Sequence, residues 1–212
     1  MSRTLKLSLL CAITLLGAYF RVTGADWGFP ILGHPDEPNI SAYARNVASE
    51  GDWNPGTYLR PNHFSIYLHS LVYRAVNAIR FDTPIAQSYS ENVLAFYYAS
   101  RVTNGIFGTL LIPLAFFILR ELRPDAALIG ALAVCLYPSF TKHSHYITPD
   151  ITLTFFTGLC MLFAIRHIKS GHHGALFLSI LFAALAFSEK YPGAVCALAV
   201  AAAVISRSGG NF

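Results

Sequence analysis

The sequence predicts an all-α polytopic membrane protein with about six transmembrane helices and a long extracytoplasmic first loop that contains amphipathic interfacial helices. Of its 212 residues, 54% are hydrophobic and only 12% are charged, about half the charged fraction of an ordinary soluble domain. The mean hydropathy is +0.48. The apolar residues gather into runs close to the roughly 20 residues that a helix needs to cross a bilayer. These observations exclude a soluble globular domain and a disordered chain.

The apolar runs that predict the spans follow one another along the chain. They cover residues 5–20, 93–119, 126–140, 151–168, 175–188 and 194–205. The first run could also be a signal peptide with a small-residue cleavage site at Thr23-Gly24-Ala25. We favour a membrane span, because several spans follow and a polytopic chain needs a first one.

Positive charges in the short connections predict the orientation of these spans. They cluster in alternate connections, at Arg3 and Lys6, Arg120 and Arg123, Arg166 and Lys169, and Arg207. The intervening connections hold only Lys142 or Lys190. The clusters should be cytoplasmic, and so should the amino terminus. Residues 21–92 then form an extracytoplasmic loop, on the same face as residues 141–149 and 189–192.

Charge and cysteine usage narrow the set of partners. The net charge of +4 comes from only 15 Lys and Arg residues, without a basic block or a zinc-finger spacing. This pattern argues against nucleic acid and favours anionic membrane lipids as partners. The four cysteines all lie in apolar runs, which argues against disulfides and against a CxxC-type metal site.

An amphipathic helix is predicted inside the long loop. Its apolar positions are Phe64, Tyr67, Leu68, Leu71, Val72, Ala75, Val76 and Ile79, and its polar positions are His69, Ser70, Tyr73, Arg74, Asn77 and Arg80. This spacing is typical of a helix that lies in the headgroup plane. A helix packed on other loops would give the same pattern.

Two acidic residues begin a predicted helix near the start of the loop. Asp36 and Glu37 precede Pro38, which suits a first helical turn, and Gly51 suits the end of that helix. The partial positive charge at a helix start keeps a carboxylate ionised and fixes its orientation. Alternatively, one of the two residues is only a helix cap.

A third acid has a similar setting. Thr148 is a plausible cap, Pro149 suits the first turn, and Asp150 lies just inside the next helix. Both acidic helix starts should face the same outer compartment, flanked by His34, His143, His145 and Tyr146. The sequence therefore predicts a polar site at the membrane surface. A divalent metal there stays open, because no recognisable ligand spacing fixes one.

Two cations are candidates for binding an anion at this site. Arg101 lies about two turns into a span, where a charge is costly enough to suggest a function, with snorkelling to the headgroups as the alternative. Lys190 interrupts an apolar stretch next to Pro192 and Gly193, where a broken helix could hold a phosphate. A tight turn between two short spans would also explain Lys190.

Several stretches, in this order, resemble the GT-C membrane glycosyltransferases. They are similar in particular to prokaryotic relatives of the protein O-mannosyltransferases and the aminoarabinose transferases of lipid A, the glycosyltransferase family 39-like group. The matching stretches are GHPDEP at 33–38, GDWNP at 51–55, SIYL at 65–68, YASRV at 98–102, HSHY at 143–146, DITLTFF at 150–156 and EKYP at 189–192.

The resemblance implies transfer of a sugar from a polyprenyl-phosphate donor to a lipid, glycan or protein acceptor, with inversion, on the outer face of a prokaryotic plasma (inner) membrane. It implies that Asp36 is the catalytic acidic residue of the first outer loop and that Glu37 beside it helps to position the acceptor. Asp150 would be the acidic residue of the second outer loop. Arg101 and Lys190 would bind the carrier phosphate, and His34, His143, His145 and Tyr146 would line the substrate site.

Family members are longer, so residues 1–212 are interpreted as an amino-terminal glycosyltransferase module. We expect a further carboxy-terminal portion or a partner subunit. Two other functions compete with glycosyl transfer. A transporter or lipid-carrier flippase would also use intramembrane charge and a broken helix. A noncatalytic membrane subunit is the other alternative, and the shortness of the chain keeps it open.

Overall fold

The computed structural model describes residues 2–56 and 62–208, and this part of the chain is helical without any strand. The helices are α1 (Arg3–Val22), α2 (Glu37–Glu50), α3 (His63–Arg80), α4 (Ile85–Glu91), α5 (Val93–Leu122), α6 (Ala127–Leu136), α7 (Pro138–Ser144), α8 (Asp150–Ser170), α9 (His173–Glu189) and α10 (Cys196–Ser208). A 3₁₀ turn, Tyr191–Val195, joins the last two. The predicted all-α membrane fold is confirmed.

The apolar helices form a bundle around α5. Three of them, α1, α5 and α8, are long and apolar enough to cross a membrane. The other three predicted spans are helical but shorter, with 10 residues in α6, 17 in α9 and 13 in α10. Helix α5 packs against α1, α6 and α8, so α1 is part of the bundle.

The run 126–140 is not one helix, because it breaks at a proline. Helix α6 ends at Leu136, Tyr137 is extended, and α7 begins at Pro138. Proline has no N–H to donate and disfavours helical backbone at the residue before it. The carbonyls of Val134 and Cys135 instead accept hydrogen bonds of 2.7 and 3.2 Å from the fully buried guanidinium of Arg21.

Helices α2, α3 and α4 cover the end of the bundle where α1 ends and α5 begins, which we call the α2 end. At the opposite end, the predicted cytoplasmic cations of α8 pair with α5. Arg166 Nε lies 3.1 Å from Glu121 Oε1, and Lys169 Nζ lies 3.6 Å from Glu121 Oε2. The acidic candidate residues and these cation clusters are therefore at opposite ends of the bundle.

Helix α3 turns its polar side toward the protein. His69, Ser70 and Tyr73 are completely buried, and the Tyr73 hydroxyl lies 2.6 Å from Ser41 Oγ on α2. Its apolar residues are in two environments. Ile66 is buried and Val72 and Val76 pack against the core, whereas Leu71 is 52% and Ile79 82% exposed. Helix α3 therefore packs on the protein and leaves a few apolar side chains exposed, and its position along the membrane surface stays a prediction.

A glycine allows α1 and α5 to approach closely. A Cβ at Gly105 would lie 2.7 Å from the backbone oxygen of Arg21. Gly105→Ala should therefore force the helices apart and lower the free energy of unfolding by about 1–3 kcal/mol. Thermal or denaturant unfolding measures this loss. Gly33→Ala is the control, because a Cβ there meets nothing within 4 Å, and an equal loss in both variants would contradict the packing argument.

Candidate active site

A buried ion pair organises the α2 end. Arg101 Nε donates a hydrogen bond to Glu37 Oε1, and Arg101 Nη2 donates one to Glu37 Oε2, both at 2.8 Å. Both side chains are 0% exposed. Arg101 Nη1 donates to the carbonyls of Ala25 and Trp27, at 3.2 and 2.7 Å. Glu37 Oε1 also accepts the N–H of Ile147 at 2.9 Å. One pair thus ties together α5, the start of α2, the chain after α1 and the segment before α8.

This pairing changes the interpretation of Arg101. The sequence predicts it as a ligand of the carrier phosphate, yet its guanidinium is completely buried and uses Nε, Nη1 and Nη2 to bind protein oxygens. A substrate could reach it only by breaking the pair with Glu37. The Glu37 carboxylate is equally inaccessible, so neither group is placed to contact a substrate directly.

Asp36 is in a different environment from its neighbour. It occupies the N-cap position of α2, but its side chain makes no capping hydrogen bond. The carboxylate is exposed and has no partner among the residues that the structure describes. Its own N–H donates to Nδ1 of His34 at 3.3 Å. As predicted, Pro38 lies in the first turn of α2, and Gly51 ends the helix with φ 74°.

Asp150 and Lys190 meet at the same end of the bundle. Asp150 is the first residue of α8, and its Oδ1 lies 2.8 Å from Nζ of Lys190, which follows α9 in extended backbone. The side chains are 38% and 45% exposed. The predicted Thr148 cap is wrong, because Pro149 takes the N-cap position and the buried Thr148 hydroxyl has no partner in the described chain.

Glu189 is a further acid at the α2 end, and the sequence alone does not mark it as a candidate. It is completely buried, and its carboxylate accepts hydrogen bonds from Ser65 Oγ at 2.9 Å and from the Ser65 N–H at 3.3 Å. Its carbonyl accepts the N–H of Asn62 at 2.9 Å. Glu189 therefore satisfies free donors at the start of α3 and fixes that helix to the end of α9. The EKYP stretch contains the residue, but only the fold shows its partner.

Of the aromatic and histidine candidates, the structure places His34 and Tyr146 together beside Asp36. The rings of His34 and Tyr146 have centroids 4.3 Å apart, and Trp27 meets Tyr146 edge-on at 6.0 Å. His145 Nε2 lies 3.1 Å from the carbonyl of Phe20, and burial lowers the pKa of this imidazole. The Nδ1 atom of His143 is buried without a partner in the described chain.

The structure does not assemble a metal site from these groups. Among residues 2–56 and 62–208, no three or more His, Cys, Asp or Glu side chains come together as a metal-binding group. His69 is a further buried histidine on α3, and neither ring nitrogen has a partner in the described part of the chain. Burial lowers its pKa to about 4, so it is neutral at pH 7.

Comparison with known proteins identifies the family. A model of the dolichyl-phosphate-mannose-protein mannosyltransferases matches residues 75–207, from within α3 to the end of α10. No curated protein and no solved structure matches the chain. The matched segment is more than half of the 212 residues and includes Arg101, Asp150 and Lys190. The chain therefore belongs to the dolichyl-phosphate-mannose-protein mannosyltransferase family.

Proposed function

We propose that the chain transfers a sugar from a polyprenyl-phosphate carrier to an acceptor hydroxyl, with inversion at the anomeric carbon and with Asp36 as the general base. Family membership supports the coarser statement, sugar transfer from a lipid-linked donor by a membrane glycosyltransferase. One observation carries the finer proposal. The Asp36 carboxylate is exposed and unpaired in the described chain, at a helix start, while Glu37 beside it is locked in a buried ion pair.

The chemistry assigned to Asp36 is proton removal from the acceptor. The start of α2 carries a partial positive charge that favours the ionised carboxylate. As the acceptor oxygen bonds to the anomeric carbon, the bond from that carbon to the phosphate oxygen breaks. The hydroxyl proton passes to Asp36, and the electron pair leaves on the phosphate. A single displacement of this kind inverts the anomeric carbon.

Glu37 and Arg101 act in this proposal as positioning residues. Their pair holds the start of α2, and therefore Asp36, against the backbone of Ile147. Asp150 follows Ile147 by only three residues, so the same pair also anchors the segment that leads to Asp150. Such preorganisation is valuable because a small misplacement of a catalytic group greatly lowers its effect.

Lys190 is proposed to stabilise the departing carrier phosphate. Its ammonium is about half exposed and is already held near an anionic partner, Asp150. The carrier phosphate can bind the Lys190 ammonium beside Asp150 or in place of it. The ammonium then lies where negative charge develops on the leaving group. Asp150 is then available to hydrogen-bond sugar hydroxyls. His34, His143, His145 and Tyr146 remain proposed wall residues of the substrate site.

Lys190→Gln tests the phosphate assignment. Loss of a charge-assisted hydrogen bond should lower kcat/KM for the lipid donor by about 10- to 100-fold. Lys169→Gln is the matched control, since Lys169 pairs with Glu121 at the opposite end of the bundle. Initial rates at varied donor concentration measure both variants. Parameters that do not change in Lys190→Gln would remove this residue from the phosphate site.

We also propose that the α2 end faces away from the cytoplasm of a prokaryotic plasma membrane and that the amino terminus is cytoplasmic. The positive clusters at the opposite end of the bundle support this orientation. Labelling of a single cysteine introduced at Asn54, with a membrane-impermeant reagent on intact cells, tests it. Labelling only after the cells are opened would overturn the orientation.

The experiment that tests the proposed function is sugar transfer by membranes that contain the full chain. Defined polyprenyl-phosphate sugars with a labelled sugar are supplied, and label is followed from the lipid to the acceptor fraction. Transfer that depends on the chain supports the proposal. Movement of intact labelled lipid between leaflets without transfer would instead indicate a flippase. Absence of both would indicate a noncatalytic subunit, and either result overturns the proposal.

A further inference from the structure

A cavity lies at the break between α6 and α7. Its volume is about 520 Å³, and its walls include the aromatic rings of Phe20, Trp27 and Tyr146. Thr141, Lys142 and His145 contribute polar side chains, and Cys135 lies on its wall. Pockets of this size commonly hold a small ligand or a headgroup-sized part of a larger one.

The cavity is positively charged without a compensating carboxylate. The exposed Lys142 ammonium has no hydrogen-bond or ion-pair partner in the described structure, whereas Lys169 and Lys190 each pair with an acid. Arg21 lies one hydrogen bond behind the wall, because its Nη1 donates to the Cys135 carbonyl at 3.2 Å. No described carboxylate pairs with Arg21 either. An anionic occupant would therefore meet one unpaired ammonium, that of Lys142, because Arg21 is completely buried and does not line the cavity.

The cavity borders the proposed sugar-transfer site and shares two of its proposed wall residues, His145 and Tyr146. Asp150, four residues after Tyr146, pairs with Lys190 and does not line the cavity. Glu37 anchors the segment between them by accepting the N–H of Ile147. An occupant of the cavity would therefore contact the start of the segment that leads to Asp150.

The exposed lining residues Trp27 and Leu136, which we call the mouth of the cavity, resemble a lipid-facing surface. Trp27 is 56% exposed, and Leu136, at the end of α6, is 54% exposed. Indole rings of this kind concentrate at the headgroup level of bilayers. Exposed apolar residues continue from the mouth along α6, where Leu132 is 41% and Ile129 is 70% exposed, and would accommodate acyl chains.

We propose that this cavity binds the phosphate headgroup of an anionic bilayer phospholipid, with Lys142 contacting the phosphate and the acyl chains lying along α6. The unpaired ammonium of Lys142 and the exposed aromatic and apolar residues at the cavity are complementary to such a molecule. A zwitterionic lipid fits less well, because its own positive group would add to the charge already present.

The position of Trp27 permits a direct test on the full chain. The sequence contains 2 tryptophans, so Trp53→Phe leaves Trp27 as the only indole reporter. The protein is reconstituted in phosphatidylcholine vesicles, and dibrominated phosphatidylglycerol or dibrominated phosphatidylcholine is titrated as a quencher. We expect phosphatidylglycerol to bind at Trp27 about five-fold more tightly, the preference that one lysine gives near a membrane surface.

Variants of Lys142 establish the cause of that preference. Lys142→Gln should reduce the ratio of the two affinities to about one, and Lys142→Arg should retain it. Lys6→Gln is the control, because it removes the same charge near the opposite end of α1. No preference in the parent protein, or a preference that survives Lys142→Gln, would overturn the proposal. Displacement of the quencher by equimolar polyprenyl phosphate, but not by excess unbrominated phosphatidylglycerol, would assign the cavity to the carrier and also overturn it.

Discussion

Asp36→Asn should lower the rate of sugar transfer by about 10²- to 10⁴-fold, the usual contribution of a general base. The amide has nearly the same shape as the carboxylate but cannot accept the acceptor's proton. Because the Asp36 side chain makes no hydrogen bond in the described structure, the substitution removes no structural contact. The effect should therefore appear in kcat while the unfolding temperature is unchanged.

The control for this experiment is Asp125→Asn. Asp125 is an exposed carboxylate at the opposite end of the bundle, with a side chain 77% exposed and only a loose pairing to Arg123 at 3.7 Å. Steady-state transfer rates of both variants are compared in membranes with matched protein levels. Equal turnover by Asp36→Asn and the parent would remove Asp36 from the reaction.

Glu37→Gln should lower the free energy of unfolding by about 3–5 kcal/mol, because it leaves the buried guanidinium of Arg101 without a counter-charge. Unfolding of the purified protein in detergent with increasing denaturant measures the loss. The exposed pair of Arg123 and Asp125 supplies the comparison, since Asp125→Asn should cost at most about 1 kcal/mol.

A double variant distinguishes a buried ion pair from two independent contacts. Glu37→Gln combined with Arg101→Gln leaves no buried charge, so its loss should be clearly smaller than the sum of the two single losses. Below the unfolding transition, Glu37→Gln should still transfer sugar slowly, because Asp36 would no longer be held in place. Additive stability losses would contradict the role given to this pair.

The local sequence is sufficient to predict the long membrane-spanning helices. Runs of about 20 apolar residues predict α1, α5 and α8, because the length that crosses a bilayer is itself a local property. Hydropathy averages over the residues of a run, however, and does not register the hydrogen bonds that a proline removes. The run 126–140 therefore predicts one span, although Pro138 begins a separate helix.

The acidic helix starts could be predicted, but their partners could not. Pro38 and Gly51 mark α2 by local turn chemistry, which places Asp36 and Glu37 at its start. The partners of Glu37 lie 64 and 110 residues away in sequence. A pair of this kind depends on helix packing, which no spacing along the chain encodes.

Arg21 is a second completely buried arginine, in addition to Arg101. The cost of a charge within an apolar run marks Arg101 as a residue with a specific partner, and that partner is Glu37. Arg21 lies at the end of another apolar helix, and it is as deeply buried. The cost of burying its charge likewise predicts partners for Arg21, and the fold shows them to be backbone carbonyls of α1 and α6.

The adjacent residues Glu189 and Lys190 face different neighbours, the first gripping the start of α3 and the second the carboxylate of Asp150. A single peptide unit thus connects the contact with α3 to the ammonium that is proposed to bind the carrier phosphate. A tilt of α3, such as a change in bilayer thickness would impose on a helix at the membrane surface, is expected to reach that ammonium through Glu189. We therefore expect the proposed sugar transfer to respond to the physical state of the surrounding lipid.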